Sequence, residues 1–113
     1  MVVKNTKDIK LHPEEFEMEC TTVWAFPRRG NWATHASDWR GNWAPEVVRN
    51  LILRYSKEGD HLLDCMIGGG NTAREAKILN RHITCVDVNE EAQKKKKKSL
   101  EFEVDNKAKQ RVV

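Results

Sequence analysis

The chain has 113 residues, of which 39% are hydrophobic and 33% charged, with a formal net charge of +3. That length fits one small domain, and the mildly basic balance, with a pI near 8.8, is compatible with a nucleic-acid partner without demanding one. No apolar run approaches a membrane span of roughly 20 residues and the first residues lack the apolar stretch of a signal peptide, so a cytoplasmic location is expected.

Residues 1–20 read as an N-terminal extension without clear periodicity; Glu14, Glu15, Glu17 and Glu19 with Phe16 and Met18 fit a short helix or a strand. Residues 21–44 form a loop-rich segment holding all four tryptophans, Trp24, Trp32, Trp39 and Trp43, beside Arg28, Arg29 and Arg40. Such a set suits stacking on unpaired bases, or packing of the tryptophans on the sheet and the next helix. Gly30 and Gly41 punctuate the segment as turn residues do. Pro45 opens a helix, because its missing N–H costs nothing at the first helical position. Val48, Leu51, Ile52 and Tyr55 then recur as one apolar face, and Gly59 stands where the helix ends.

A strand over Leu62 to Cys65 follows, then a glycine turn at 68–70. Thr72 to Leu79 is a predicted helix with Ala73, Ala76 and Leu79 on one side, and 82–87 a second strand. Asn89 caps a further helix that runs into the block Lys94 to Lys98, a solvated helix face or a binder of DNA phosphates. Leu100, Phe102 and Val104 alternate with acids and suggest a short strand; Gln110 to Val113 suggests another. Residues 45–93 thus make an α/β core with a parallel sheet, and 94–113 a lysine-rich helix end and tail. Cys65 and Cys85 fall at strand positions, where small buried hydrophobes are expected, and the three cysteines lack metal-type spacing. His35 stands in no ordered triad, and His12, His61 and His82 are too scattered to predict a metal site. A two- or three-stranded sheet is small for independent stability. The chain is therefore expected to be a piece of a larger protein or to have its sheet completed by a partner, a second copy of itself included.

The chemistry concentrates where the first predicted strand meets the glycines. A parallel strand that ends in a tight glycine turn lets a ligand approach the backbone, and the following helix N-terminus offers free N–H groups. Asp87 ends the neighbouring strand at the distance from Gly68 where an acid can accept ribose hydroxyl hydrogens. Asp64 places a second acid before the glycines. That acid would repel a pyrophosphate but suits a cationic ligand, so S-adenosylmethionine is favoured over a nicotinamide or a nucleoside triphosphate. The turn is Gly68-Gly69-Gly70 rather than the dinucleotide fingerprint, and the lysine of a P-loop is missing.

Leu63-Asp64-Cys65-Met66-Ile67-Gly68-Gly69-Gly70-Asn71-Thr72-Ala73-Arg74-Glu75-Ala76 resembles motif I of the amino-methyltransferases that modify adenine N6 or cytosine N4 in DNA, Asp-Pro-Phe-x-Gly-Ser-Gly-Thr-Thr followed by a helix. The stretch from Gly41 to Ser56 resembles motif X of that family, Cys85-Val86-Asp87-Val88-Asn89 resembles motif II, and Phe26 to His35 the N-terminal lead of one prokaryotic branch. The resemblance implies a partial Rossmann-like methyltransferase fold with a small parallel sheet, incomplete relative to the family, and S-adenosylmethionine as cofactor. It implies that Asp64 and Gly68, Gly69 and Gly70 surround the methionine part, with Met66 in the place of the family's aromatic. Asp87 would hold the ribose, Val88 would pack on adenine, and Asn42 and Trp43 would close over the methionine end. Cys65 and Met66 replace proline and phenylalanine, and Gly69 and Asn71 replace serine and threonine, with Asn71 still suited to cap the helix.

The family's Pro-Pro-aromatic motif, which grips the amino group of a flipped base, is absent. The three prolines, Pro13, Pro27 and Pro45, are isolated. Alone, the chain is expected to transfer no methyl group and to carry no catalytic residue: it would be a split subunit, a degenerate remnant or a truncated form. Its partners would be DNA, through Arg28, Arg29 and Arg40, and a second methyltransferase part. The alternatives are a non-catalytic scaffold for a partner methyltransferase, and a nucleic-acid-binding module on a decayed fold.

Overall fold

The computed structural model describes residues 10–26, 29–35, 43–91, 94, 97, 100, 102 and 104–113. Its regular elements are α1 (Pro45–Tyr55), β1 (His61–Asp64), α2 (Asn71–Ile78), β2 (His82–Cys85) and β3 (Gln110–Val112). The strands make one parallel sheet in the order β1-β2-β3, with His61 beside His82 and Ile83 beside Gln110. This is the α/β class read from the sequence, a partial Rossmann-like arrangement.

Pro45 does start α1, with Glu46 in the first turn and Arg54 in the last, each favourable to the helix dipole. The helix stops at Tyr55, earlier than expected: Ser56 turns to an extended backbone, with φ −142° and ψ 168°, while its N–H and hydroxyl both donate to the Ile52 carbonyl. Gly59 belongs instead to the turn between Lys57 and Asp60. Its φ is +88°, and its N–H donates to the Asn80 carbonyl at 2.8 Å. The expected apolar face is only half buried: Val48 and Ile52 are covered, while Leu51 is 42% and Tyr55 75% exposed. The buried side has turned toward Arg49 and Asn50, whose terminal side-chain groups reach partners on other segments. Asn50 Oδ1 accepts from the Glu19 N–H at 2.8 Å, and Arg49 reaches Glu75 on α2. These contacts also fix the acidic stretch around Glu19, which is neither helix nor strand.

One face of the sheet is covered. Ile83 and Cys85 are fully buried with Ile67, Ala73 and Ala76, and Leu62 packs against them. The two alanines let α2 lie close on the sheet. Val48, Ile52 and Leu79 bring α1 to the same Leu62. The other face carries His61, Leu63, His82 and Thr84, since successive side chains of a strand alternate; Leu63 is 65% exposed, and His61 Nε2 pairs with Thr84 Oγ1 at 2.8 Å. Cys65 lies just past β1 and is exposed, unlike the buried position expected for it; Cys85 is buried as expected.

After β2, the Asn89 side chain accepts from the Glu91 N–H at 2.9 Å, as a cap should, and Glu90, Glu91, Lys94 and Lys97 are helical. The alternation of Leu100, Phe102 and Val104 does not make a strand among the described residues. Phe102 is buried with Trp32 and Ile78, and Leu100 and Val104 pack on that cluster. Lys77 draws this stretch onto α2 instead, donating to the carbonyls of Leu100 and Phe102 with its ammonium over the Phe102 ring. Burial holds its pKa below the ordinary lysine value. Among the described residues no helix is long and apolar enough to cross a membrane.

Candidate cofactor site

Parallel pairing brings the carboxyl ends of β1 and β2 to the same edge of the sheet, the edge where open α/β sheets bind ligands. Past the strands the ladder continues: the Val86 N–H donates to the Asp64 carbonyl at 2.9 Å, and the Ile67 N–H to the Val86 carbonyl at 3.1 Å. The chain then turns through the glycines into α2. Gly70, in the left-handed region at φ +93°, is the N-cap of that helix, a conformation that costs glycine nothing. Asn71 therefore sits inside the helix rather than capping it. Its side-chain amide donates to the Trp43 carbonyl, and its Oδ1 accepts from Arg74 Nη1 at 2.9 Å.

Asp87 is joined to the glycine turn directly. Its Oδ2 accepts from the Gly68 N–H at 2.9 Å, and its Oδ1 from the Asn89 N–H at 2.9 Å. A carboxylate offers about four acceptor positions, so anchoring the turn does not exclude accepting ribose hydroxyls. Asp64, one strand over, accepts from the Met66 N–H at 3.0 Å. Around this pair the chain presents apolar groups to solvent: Met66 is 86%, Val88 fully and Trp43 66% exposed. Gly69 and Gly70 are buried and Gly68 half-buried. Two acids, a glycine turn with its helix N-terminus and an apolar rim form a donor and acceptor set that suits a cationic sulfonium ligand bearing a ribose. Asn42, Arg28 and Arg40 lie outside the described residues; Arg29 is half-buried.

Behind the turn lies a cluster that the sequence reading missed. Glu75 is fully buried. Its Oε1 accepts from Arg49 Nη1 at 2.9 Å and its Oε2 from Trp32 Nε1 at 2.9 Å, with His35 Nε2 at 3.2 Å. His35 Nδ1 lies 3.2 Å from Asn71 Oδ1. The Arg49 guanidinium stacks near the rings of Phe16 and Trp32 and donates from Nη2 to His12 Nδ1 at 2.7 Å. Partial burial, and after it the Arg49 charge, hold the His12 pKa below the ordinary imidazole value. The available signal was a charge at position 75 between Ala73 and Ala76, two residues predicted to face the core. A recess of about 370 Å³ lined by His12, Glu58, Asn80, Arg81 and Asp105 is at the opposite end of the strands and is separate from the glycine turn. No group of three metal-binding side chains occurs among the described residues.

A family profile described as DNA methylase, of the N6 and N4 type, matches residues 2–98. The chain is also similar to the Type II methyltransferase M2.DpnII of Streptococcus pneumoniae, at 39% identity over 57 residues. That stretch is 50% of this chain and 21% of the relative, so the chain corresponds to a small part of that protein's length. No solved structure gives a significant match.

Proposed function

The chain belongs to the DNA methylase family, and from that premise we propose that it is the cofactor-binding portion of a DNA amino-methyltransferase. S-adenosylmethionine, when bound, supplies an electrophilic methyl group for an exocyclic amino group of adenine or cytosine. The observation that carries the reading is the bond from the Gly68 N–H to Asp87 Oδ2, which ties the motif II acid to the motif I turn at the carboxyl ends of neighbouring parallel strands. In this reading Asp87 receives the ribose hydroxyls, Asp64 offsets the sulfonium charge, the glycines admit the methionine part, and Val88, Met66 and Trp43 cover apolar surface of the cofactor. Asn42, which lies outside the described residues, is assigned with Trp43 to the methionine end by the family resemblance. Arg28, Arg29 and Arg40 contribute to DNA binding.

The base-gripping Pro-Pro-aromatic motif comes from polypeptide outside these 113 residues. The test is calorimetric titration of the purified chain with S-adenosylmethionine, alongside Asp87→Asn and Asp87→Ala. Asp87→Asn keeps an oxygen for the Gly68 N–H but loses the charge and turns one acceptor into a donor. The parent should bind, and both variants should bind at least about tenfold more weakly, a change of ~1.4 kcal/mol. With DNA added, the chain alone should transfer no methyl group. Absence of binding by a folded parent would remove the reading and leave the scaffold and nucleic-acid alternatives.

A further inference from the structure

We propose that Glu75, which lies outside the cofactor rim, is the positioning residue of the glycine turn. Four separate stretches of chain end on its carboxylate or one bond away. Trp32 and His35 come from the N-terminal segment, Arg49 from α1, His12 from the start of the described chain through Arg49, and Asn71 from the first turn of α2 through His35. The inference deepens the cofactor-site reading and rests on it for its functional consequence only.

A carboxylate with no solvent exposure is a poor means of adding stability. Its desolvation offsets most of what its partners return, and apolar side chains of similar size commonly do as well or better. What a buried charge does well is select one arrangement, because every competing arrangement leaves it unpaired. Here the arrangement selected is the one that seats Trp32 and His35 against α2 beside Asn71, the residue that holds the Trp43 carbonyl. Glu75 and Asn71 lie one helical turn apart on the same face of α2, and His35 spans the gap between them, 3.2 Å from each. Asn71 in turn holds the Trp43 carbonyl and follows Gly70 directly. The Gly70 carbonyl accepts from Arg74, whose Nη1 also bonds Asn71. Any loosening of the carboxylate therefore reaches the turn through Asn71 within one helical turn. The N-terminal segment is fixed by the same group: Trp32 is 5% exposed, its ring meets His35 edge-on at 5.3 Å, and the Ala33 N–H bonds back to the Lys10 carbonyl.

Glu75→Gln keeps the shape, removes the charge and sets an NH2 group against the donors of Arg49, Trp32 or His35. A merely structural role would make it behave like any core change of equal cost, so the comparison is Leu79→Ala, buried with Val48 and Ile52 at the far end of α2 from the turn. Both variants, matched for stability by adjusting temperature or denaturant below their transitions, are followed by amide hydrogen exchange without cofactor. The Gly68 and Gly70 amides, bonded to Asp87 and Ile67, and the Ala33 and His35 amides should exchange about tenfold faster in Glu75→Gln than in Leu79→Ala, tenfold being ~1.4 kcal/mol of local opening. S-adenosylmethionine affinity should fall about tenfold in Glu75→Gln and stay near the parent value in Leu79→Ala. Equal exchange of the turn amides in the matched variants overturns the proposal. So does released exchange with unchanged affinity. If the parent does not bind S-adenosylmethionine, the cofactor reading fails, and the turn amides alone still decide whether Glu75 positions the turn.

Discussion

Gly59 stands in a turn while Gly30, read from the sequence as a turn residue, does not, and the structure assigns their replacement by alanine very different costs. At Gly30 a Cβ would stand 2.0 Å from Cζ3 and 2.6 Å from Cε3 of Trp32, and 2.6 Å from Glu46 Oε1. The Trp32 ring cannot swing aside without leaving its buried seat and the bond from Nε1 to Glu75 Oε2. Forcing extra volume into such packing costs about 1–3 kcal/mol, and losing a hydrogen bond to a buried charged group adds roughly 1.5–3 kcal/mol if the ring does move. Gly30→Ala should therefore lose about 3 kcal/mol or more. At Gly59 a Cβ would meet nothing within 4 Å, and the whole cost is backbone strain at φ +88°, about 1–2 kcal/mol. Urea unfolding followed by circular dichroism measures both. For a domain of this size each kcal/mol moves the thermal midpoint by roughly 4–8 °C, so the two variants should also separate in a melt. A Gly30→Ala protein as stable as the parent, or Gly59→Ala as the worse of the two, would refute the claim that Trp32 is locked between Gly30 and Glu75.

Two further outcomes test other parts of the fold. Ile83→Ala removes a fully buried side chain from the contact between the sheet and α2, and should cost about 2–5 kcal/mol by urea unfolding; a loss within ~0.5 kcal/mol, typical of a surface change, would contradict that core. His12 has its pKa depressed by partial burial and then by the Arg49 guanidinium, so the neutral ring is the form the folded state favours. That contribution is present above the unfolded value of 6.5 and is lost as pH falls through the lower folded value. The urea midpoint should thus decline as the pH falls from 6.5 through the lower folded value and level off below it. His12→Gln, which retains an acceptor for Arg49, should show a shallower decline, and an identical pH profile in the variant would refute the assignment.

What was legible in the sequence was local. Gly68, Gly69, Gly70 and Asp87 could be placed because a strand, a turn and a strand-end acid are defined by residues close in the chain, and the structure joins Gly68 to Asp87. Asn89 could be placed as a cap because the amide it serves is two residues away. Errors arose wherever a residue's surroundings came from a distant segment. Periodicity put Leu51 and Tyr55 on the inner face of α1. It could not show that Arg49 and Asn50 find partners on Glu75 and Glu19, 26 and 31 residues away, which turns that face inward instead. The alternation at Leu100, Phe102 and Val104 obeys the strand pattern, yet Lys77, reaching carbonyls 23 and 25 residues on, holds the stretch against Trp32 and Ile78. Asn71 had the right chemistry for a cap, but Gly70 reached the left-handed conformation one residue earlier and left the Asn71 side chain to bind Trp43.

These departures share one physical cause. In a chain of this size there is little apolar surface to bury, and long-range polar contacts decide how the segments meet. Such contacts are invisible to a hydrophobic period, because each partner alone reads as a surface residue. Arg49, Asn50, Asn71, Arg74, Glu75 and Arg81 are all buried, and most of them join elements rather than stabilise their own helix. Arg81 shows the rule away from the candidate site: it donates to the Ser56 hydroxyl and carbonyl and to the Leu79 carbonyl, clamping the end of α1 to the end of α2. Midway along the same two helices, Glu75 and Arg49 do the equivalent work, with the N-terminal segment added. Of the two clamps only the Glu75 cluster reaches the glycine turn, through His35 and the Asn71 that follows Gly70.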